Sequence, residues 1–168
     1  PALPRDTILL SNILMTARQV HISPAHSLIR HYHNSISELR AQGIEHEMAL
    51  RLPFQDLLAD SARLHGWIFV AELGAKAGGH RVVPDGTVRD SNSLPRGYWE
   101  AKDPADDLER AIDRKIRQGY PTSNIIFEDT RRAVLFQDRA RSFEADLADP
   151  RQIADLLDRF YSHTEPGI

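Results

Sequence analysis

The stretch His80–Asp103, HRVVPDGTVRDSNSLPRGYWEAKD, decides the fold of this 168-residue chain. It holds Pro84-Asp85-Gly86 after a β-branched pair and then, past a polar loop, Gly97-Tyr98-Trp99-Glu100-Ala101-Lys102-Asp103. Tyr98 and Trp99 mark a strand. Glu100 and Lys102 are two apart on it, so they project from the same face. An acid and an ammonium on a sheet face carry a desolvation cost unless charged partners accompany them. If the strands carrying Asp85 and Glu100 are neighbours, their carboxylates converge at one end of the sheet. Paired carboxylates suit a hard, oxygen-preferring cation such as Mg²⁺, which keeps some of its waters. Lys102, roughly 7 Å along the strand from Glu100, is then placed to position an activated water.

The surrounding pattern supports a single mixed α/β domain. Asp6–Gln19 reads as a helix with Asp6 as its cap. Ser23-Pro24 opens another, with Leu28, Tyr32, Ile36 and Leu39 at helical spacing and a stop at Gly43. Glu45–His65 is a third helix, with Leu50, Phe54, Leu57, Leu58 and Ser61 inward; Pro53 either kinks it or sits near its true start. After Gly66 the period changes. Strands are expected near 67–71, 81–88, 97–102, 124–127 and 133–136, with Arg81–Val88 as a hairpin or bent strand around Pro84-Asp85-Gly86. Asp103-Pro104 is expected to cap and open a helix that runs to about residue 118, with Leu108, Ile112 and Ile116 inward. Residues 150–161 form the last helix. Helices followed by strands, a crossing helix and further strands describe an α/β architecture.

Composition excludes several classes. There is no cysteine, which rules out disulfides, thiolate zinc sites and cysteine nucleophiles and suits a cytoplasmic setting. No long uncharged apolar run is present, so no membrane partner is expected. The net charge is −3, but residues 110–141 carry eight basic against four acidic side chains, whereas residues 142–168 carry two against six. A local basic face can bind phosphate while the whole molecule stays acidic. Arg110, Arg114 and Arg117 on the crossing helix are the phosphate-contact candidates. His46-Glu47 lacks the second histidine of a zinc-protease string, since position 50 is leucine. GAKAGGH lacks the Gly-Lys-Ser/Thr ending of a phosphate loop. His31 and His33 would diverge on a helix.

Pro84-Asp85 with Glu100-Ala101-Lys102 resembles the signature of the PD-(D/E)xK, or restriction-endonuclease-like, nuclease superfamily. The elements from Glu45 to Phe136 follow the order of its core: helix, β-meander, crossing helix, further strand. A finer resemblance is to nuclease modules of multidomain bacterial restriction and phage-defence enzymes. In those modules a helix reading Glu-x-x-x-Arg precedes the meander, and Glu47-Met48-Ala49-Leu50-Arg51 fits it. Gln118 and Tyr120 are similar to a Gln/Tyr motif of some exonuclease relatives, at a different spacing. The resemblance implies a restriction-endonuclease-like core, a central mixed sheet flanked by helices, over residues 44–168. Residues 1–43 would be an N-terminal helical extension of the same compact unit.

The implied activity is Mg²⁺-dependent DNA endonuclease chemistry, with Mn²⁺ as a substitute. Asp85 and Glu100 would be ligands, Lys102 the water-positioning group and Glu47 an accessory acid. DNA is the implied partner, with helicase or methyltransferase domains of a parent protein beside it; a homodimer is one arrangement it allows. The alternative function is a catalytically silent nucleic-acid-binding or scaffolding module of the same fold. Residue by residue, the plainer readings are a Pro-Asp-Gly turn for Asp85, an exposed edge ion pair for Glu100 and Lys102, and an ordinary helix acid for Glu47.

Overall fold

The computed structural model describes residues 20–72, 75–77 and 80–164; the helix expected over Asp6–Gln19 lies outside them. Four helices and eight strands follow in the order α1 (Ser27–Ala41), α2 (Glu47–Leu64), β1 (Ile68–Ala71), β2 (Ala75–Ala77), β3 (His80–Val82), β4 (Gly86–Arg89), β5 (Pro95–Ala101), α3 (Leu108–Arg117), β6 (Asn124–Glu128), β7 (Arg132–Gln137), β8 (Ala140–Asp146) and α4 (Pro150–Ser162). Six strands form one sheet in the order β1-β4-β5-β6-β7-β8, while β2 and β3 pair separately. All neighbours in the large sheet are antiparallel except β5 and β6. That parallel pair needs a crossover, and α3 supplies it.

The two faces of the sheet are covered differently, and side-chain alternation along β5 and β6 assigns each residue to a layer. Trp99, Ala101 and Ile126 point into the larger core with Ile29, Tyr32 and Ile36 of α1, Phe54, Leu57 and Leu58 of α2, and Ile153, Leu157 and Phe160 of α4. Ile125, Phe127 and Val134 point the other way, against Leu108 and Ile112 of α3. Trp99 is the hub of the larger layer: its ring stacks on Phe54 at 6.1 Å and meets Phe69 at 5.9 Å. Helix α1 is part of this core.

Several expected boundaries move, each for a local reason. The crossing helix starts at Leu108 with Asp107 as its cap, because Asp103 is used in a turn, its Oδ1 accepting from the Ala105 amide at 2.8 Å. Helix α1 starts after His26, whose Nδ1 accepts from the Leu28 amide at 3.1 Å, since Ser23–His26 closes a turn first. Helix α2 begins at Glu47 and runs through Pro53 to Leu64. The segment Arg81–Val88 is divided between two sheets, β3 pairing with β2 and β4 with β1 and β5. Strand β8 has only Phe143 and Ala145 on the core side, Ala145 its one buried residue, in place of a longer apolar alternation. Charge replaces it: Arg132 of β7 and Arg141 of β8 each pair with both Glu109 of α3 and Glu144 of β8. These pairs also tie α3 to the sheet.

Two glycines are required by close approach. A Cβ on Gly86 would lie 2.2 Å from the Phe69 ring, and one on Gly97 would lie 2.4 Å from the Phe160 ring. Phe160 is in the buried core, so Gly97→Ala is expected to destabilise the protein by about 1–3 kcal/mol through overpacking. Urea denaturation checks this; an unchanged midpoint would mean that α4 is free to shift.

Candidate active site

Strand register brings the two acids together. Gly86 pairs with Trp99 in the antiparallel β4/β5 ladder, so Asp85, one residue before β4, stands opposite Glu100. Residues directly opposite share a face at close range. The Asp85 amide donates to Glu100 Oε2 at 3.2 Å, and Asp85 Oδ2 accepts from the Ala101 amide at 2.9 Å. Each carboxylate therefore spends one oxygen on the other strand's neighbourhood and turns its second oxygen toward cations. Asp85 Oδ1 meets Arg51 Nη2 at 2.6 Å. Glu100 Oε1 meets Lys115 Nζ at 2.6 Å and Lys102 Nζ at 3.2 Å.

These groups come from both layers and converge at one end of the sheet. Arg51 extends from α2 on the Trp99 side, its guanidinium 5.8 Å from the Trp99 ring centroid. Lys115 extends from α3 on the opposite side, between the apolar Ile112 and Ile116 turns. The Lys115 ammonium donates to Tyr120 OH at 2.9 Å, and that hydroxyl donates to the Val83 carbonyl at 3.2 Å. Lys102 lies one residue past β5, where its amide still bonds to the Glu128 carbonyl at 2.8 Å. A cleft of about 530 Å³ is lined by Arg40, Leu50, Asp103 and Arg131 among others, and by none of Arg51, Asp85, Glu100 or Lys102.

Burial sets the electrostatics. The Asp85 carboxyl is raised above the usual carboxylate range, first by desolvation and then by the Glu100 charge, against the Ala101 amide and Arg51. For Lys115, desolvation opposes the ammonium, yet the hydrogen bonds to Glu100 and Tyr120 outweigh it and lift the group above its ordinary value. Glu128, at the end of β6, is pushed up to about 8, chiefly by burial. The Thr130 amide at 2.7 Å and the Trp99 indole N–H at 3.2 Å work against that rise.

Of the residues singled out from sequence, Asp85, Glu100 and Lys102 are brought into one cluster. Glu47 is exposed in the first turn of α2, four residues before Arg51 and so on the same helix face. It makes no hydrogen bond or ion pair among the described residues. Arg110, Arg114 and Arg117 lie on the solvent side of α3, opposite the stripe of Leu108, Ala111 and Ile112; Arg110 pairs there with Asp107 at 3.6 Å. Sequence reasoning missed the site roles of Lys115 and Glu128. The available signals were an ammonium inside an apolar helical stripe and a carboxylate closing a wholly buried strand. Among the described residues no three acidic or imidazole groups gather as a ready metal cage. The donor set is two carboxylates, each with one oxygen directed at positive charge, which fits a hard cation that retains waters.

No protein-family model matches the chain, and no curated protein matches it. Among solved structures it is similar to a protein chain in the cryo-EM structure of a DrdV–DNA complex, at 39% identity and a TM-score of 0.79, over 83% of this chain and 14% of that one. The chain thus spans about 14% of the length of that relative. A second similar structure, described as a "putative nuclease belonging to DUF820" from Anabaena variabilis, matches at 13% identity and a TM-score of 0.41 over 61% of this chain and 79% of that one. The chain has the restriction-endonuclease-like fold of the PD-(D/E)xK nuclease superfamily.

The buried Glu128 gives a pH-dependent stability. Its folded value, about 8, exceeds the ordinary glutamate value, so the folded state holds a proton that the unfolded chain releases. The stabilisation is complete below the unfolded value and is lost as pH rises through the folded one. Across roughly pH 5 to 8 this group alone should lower stability on the order of 1 kcal/mol per pH unit. Glu128→Gln, which cannot titrate, should flatten that decline; urea denaturation at pH 5, 6.5 and 8 reads it, and an undiminished slope would exclude Glu128 as its source.

Proposed function

We propose that this chain is a Mg²⁺-dependent DNA endonuclease domain, and that Mn²⁺ substitutes for Mg²⁺. The observation that carries the reading is the cross-strand pair of Asp85 and Glu100 with Lys102 beside it, inside a restriction-endonuclease-like fold. Asp85 Oδ1 and Glu100 Oε1 are the oxygens that would hold the cation, with Glu47 reaching in from α2 as an accessory acid. A bound divalent ion supplies a water nucleophile at neutral pH and neutralises charge developing on the phosphodiester. Lys102 orients the attacking water. The Ala101 and Asp85 amides hold each carboxylate by its other oxygen, so the pair keeps its orientation when cations exchange. Arg110, Arg114 and Arg117 contact duplex phosphates away from the reacting bond.

Likeness to a part of a chain in a DrdV–DNA complex supports a nuclease module within a larger restriction or defence enzyme, with DNA as substrate; helicase or methyltransferase domains as its covalent neighbours are part of the proposal. Residues 44–168 would be the nuclease unit and residues 1–43 its extension, docked through α1. Among the described residues no helix is long and apolar enough to cross a membrane; a cytoplasmic location is part of the same proposal. Two copies would place two sites on opposite strands for a double-strand cut. By itself the domain should cut weakly and with little sequence preference, and its binding should fall steeply with salt because phosphate contacts dominate.

Asp85→Asn and Glu100→Gln are near-isosteric, so each should remove cleavage by several orders of magnitude while leaving the fold intact. Lys102→Ala should also abolish cleavage. Calorimetry with Mn²⁺ separates the two classes: binding weakens in the carboxylate variants and does not weaken in Lys102→Ala, which removes only a competitor for Glu100 Oε1. Glu47→Gln should be milder. A catalytically silent module instead predicts no gain in thermal stability from Mg²⁺ or Mn²⁺ beyond that of simple salt.

A further inference from the structure

Glu100 Oε1 carries two ammonium groups where one would balance it. Lys102 sits two residues along the same strand, and Lys115 arrives from α3 to bond at the shorter distance, 2.6 Å against 3.2 Å. Lys115 is largely withdrawn from solvent, its side chain 18% exposed. Adding a second, desolvated cation to a neutralised carboxylate gains little for stability. Three cations, Arg51, Lys102 and Lys115, pair directly with only two carboxylates, those of Asp85 and Glu100, while the exposed Glu47 pairs with none of them. Such a surplus favours an anion. The Lys115 ammonium is tethered sideways by Tyr120, whose ring centroid lies 4.6 Å away and whose hydroxyl is fixed to the Val83 carbonyl. It can therefore leave Glu100 without losing its support.

We propose that Lys115 is a phosphate-binding residue of the site: it occupies Glu100 Oε1 in the cation-free protein and, once a divalent cation takes that oxygen, swings on its Tyr120 tether to bind a DNA phosphate oxygen. The proposal rests on the nuclease reading above, and it adds a DNA contact that exists only when the cation is bound. It also explains why an ammonium is built into the apolar stripe of α3, and why α3 is clamped to β7 and β8 through Glu109. The clamp holds the backbone while the long side chain exchanges partners.

The test is duplex-DNA binding by the whole chain, titrated against salt in Ca²⁺ and, separately, in EDTA. Calcium is chosen as a hard cation for the carboxylates, and uncut DNA is verified on gels. In Ca²⁺, Lys115→Met should bind about tenfold more weakly than the parent, and its salt slope should be shallower by about one phosphate contact. In EDTA the two proteins should match, because Lys115 is then engaged with Glu100. Ca²⁺ calorimetry without DNA should show tighter binding in Lys115→Met, since a competitor for Glu100 has gone. Lys115→Arg should restore the slope. Tyr120→Phe, which keeps the ring and removes only the tether, should lose part of the Ca²⁺-dependent affinity and guards against a misfolded Lys115→Met. Equal slopes and affinities in Ca²⁺ for the parent and both loss variants overturn the proposal, as does a Lys115→Met defect of the same size in EDTA. If the parent protein neither binds Ca²⁺ nor changes its DNA binding with it, the nuclease reading itself fails and this inference falls with it.

Discussion

The register of β4 against β5 is the constraint on which everything else depends. Gly86 opposite Trp99 makes Asp85 opposite Glu100, and a slip of one residue would send one of the acids to the other face. The register is fixed from the larger core. Trp99 must enter the larger core against Phe54 and Phe69, and Gly86 must admit the Phe69 ring where any Cβ would collide. A buried aromatic cluster thereby positions two polar groups that contribute nothing to it. The site sits at the sheet end because only there do backbone amides beyond the ladder, those of Asp85 and Ala101, remain free to hold carboxylates.

The same sheet end is where the two layers meet, and the charges are recruited from both. Arg51 comes over the Trp99 ring from the larger core, while Lys115 comes from the smaller one. Beneath them Glu128 is fully buried and takes the Trp99 indole N–H, so the residue that sets the register is itself anchored to an acid. The negative charges of Asp85 and Asp129 raise Glu128 further. A protonated Glu128 spares the site a third buried negative charge next to Asp85. Charge economy here is a property of the whole sheet end, distributed over β4, β5, β6, α2 and α3.

Much of this could be read from sequence because it depends on local pattern. The Tyr98-Trp99 strand, its Glu-x-Lys charges, the Asp before β4 and the apolar stripe of α3 all obey simple periods. What escaped had no periodic signal. Strand β8 exchanges apolar alternation for ion pairs with Glu109 and Arg132, so it resembles a polar loop. The start of α3 shifted because Asp103 and Asp107 are both good caps, and only the turn at Asp103–Asp106 decides between them. Lys115 is one of several basic residues in the last turn of α3, where cations suit a helix C-terminus. Its inward direction becomes meaningful only when Glu100 is known to stand across from it. Pairings between distant elements are the part that pattern does not carry.

A structural consequence of the site's cation surplus concerns folding as well as function. Two acids side by side, Glu100 buried and Asp85 partly so, favour protonation first through desolvation and then through mutual repulsion, as the raised Asp85 shows. Arg51 and Lys115 relieve that strain in the free protein by pairing one to each acid. Their positions, one from each helical layer, mean that assembly of both layers is needed before the acids can ionise together at low cost. The price is that the carboxylates are never vacant: any divalent cation must compete with guanidinium and ammonium for the same oxygens. Such competition would weaken cation binding in the proposed nuclease. It would also make that binding cooperative with an anion that accepts the displaced groups, because a phosphate would restore to Arg51 or Lys115 the partner they lose. In the proposed nuclease, cation and DNA would thereby be coupled through the domain's own side chains, and hydrolysis would wait on both.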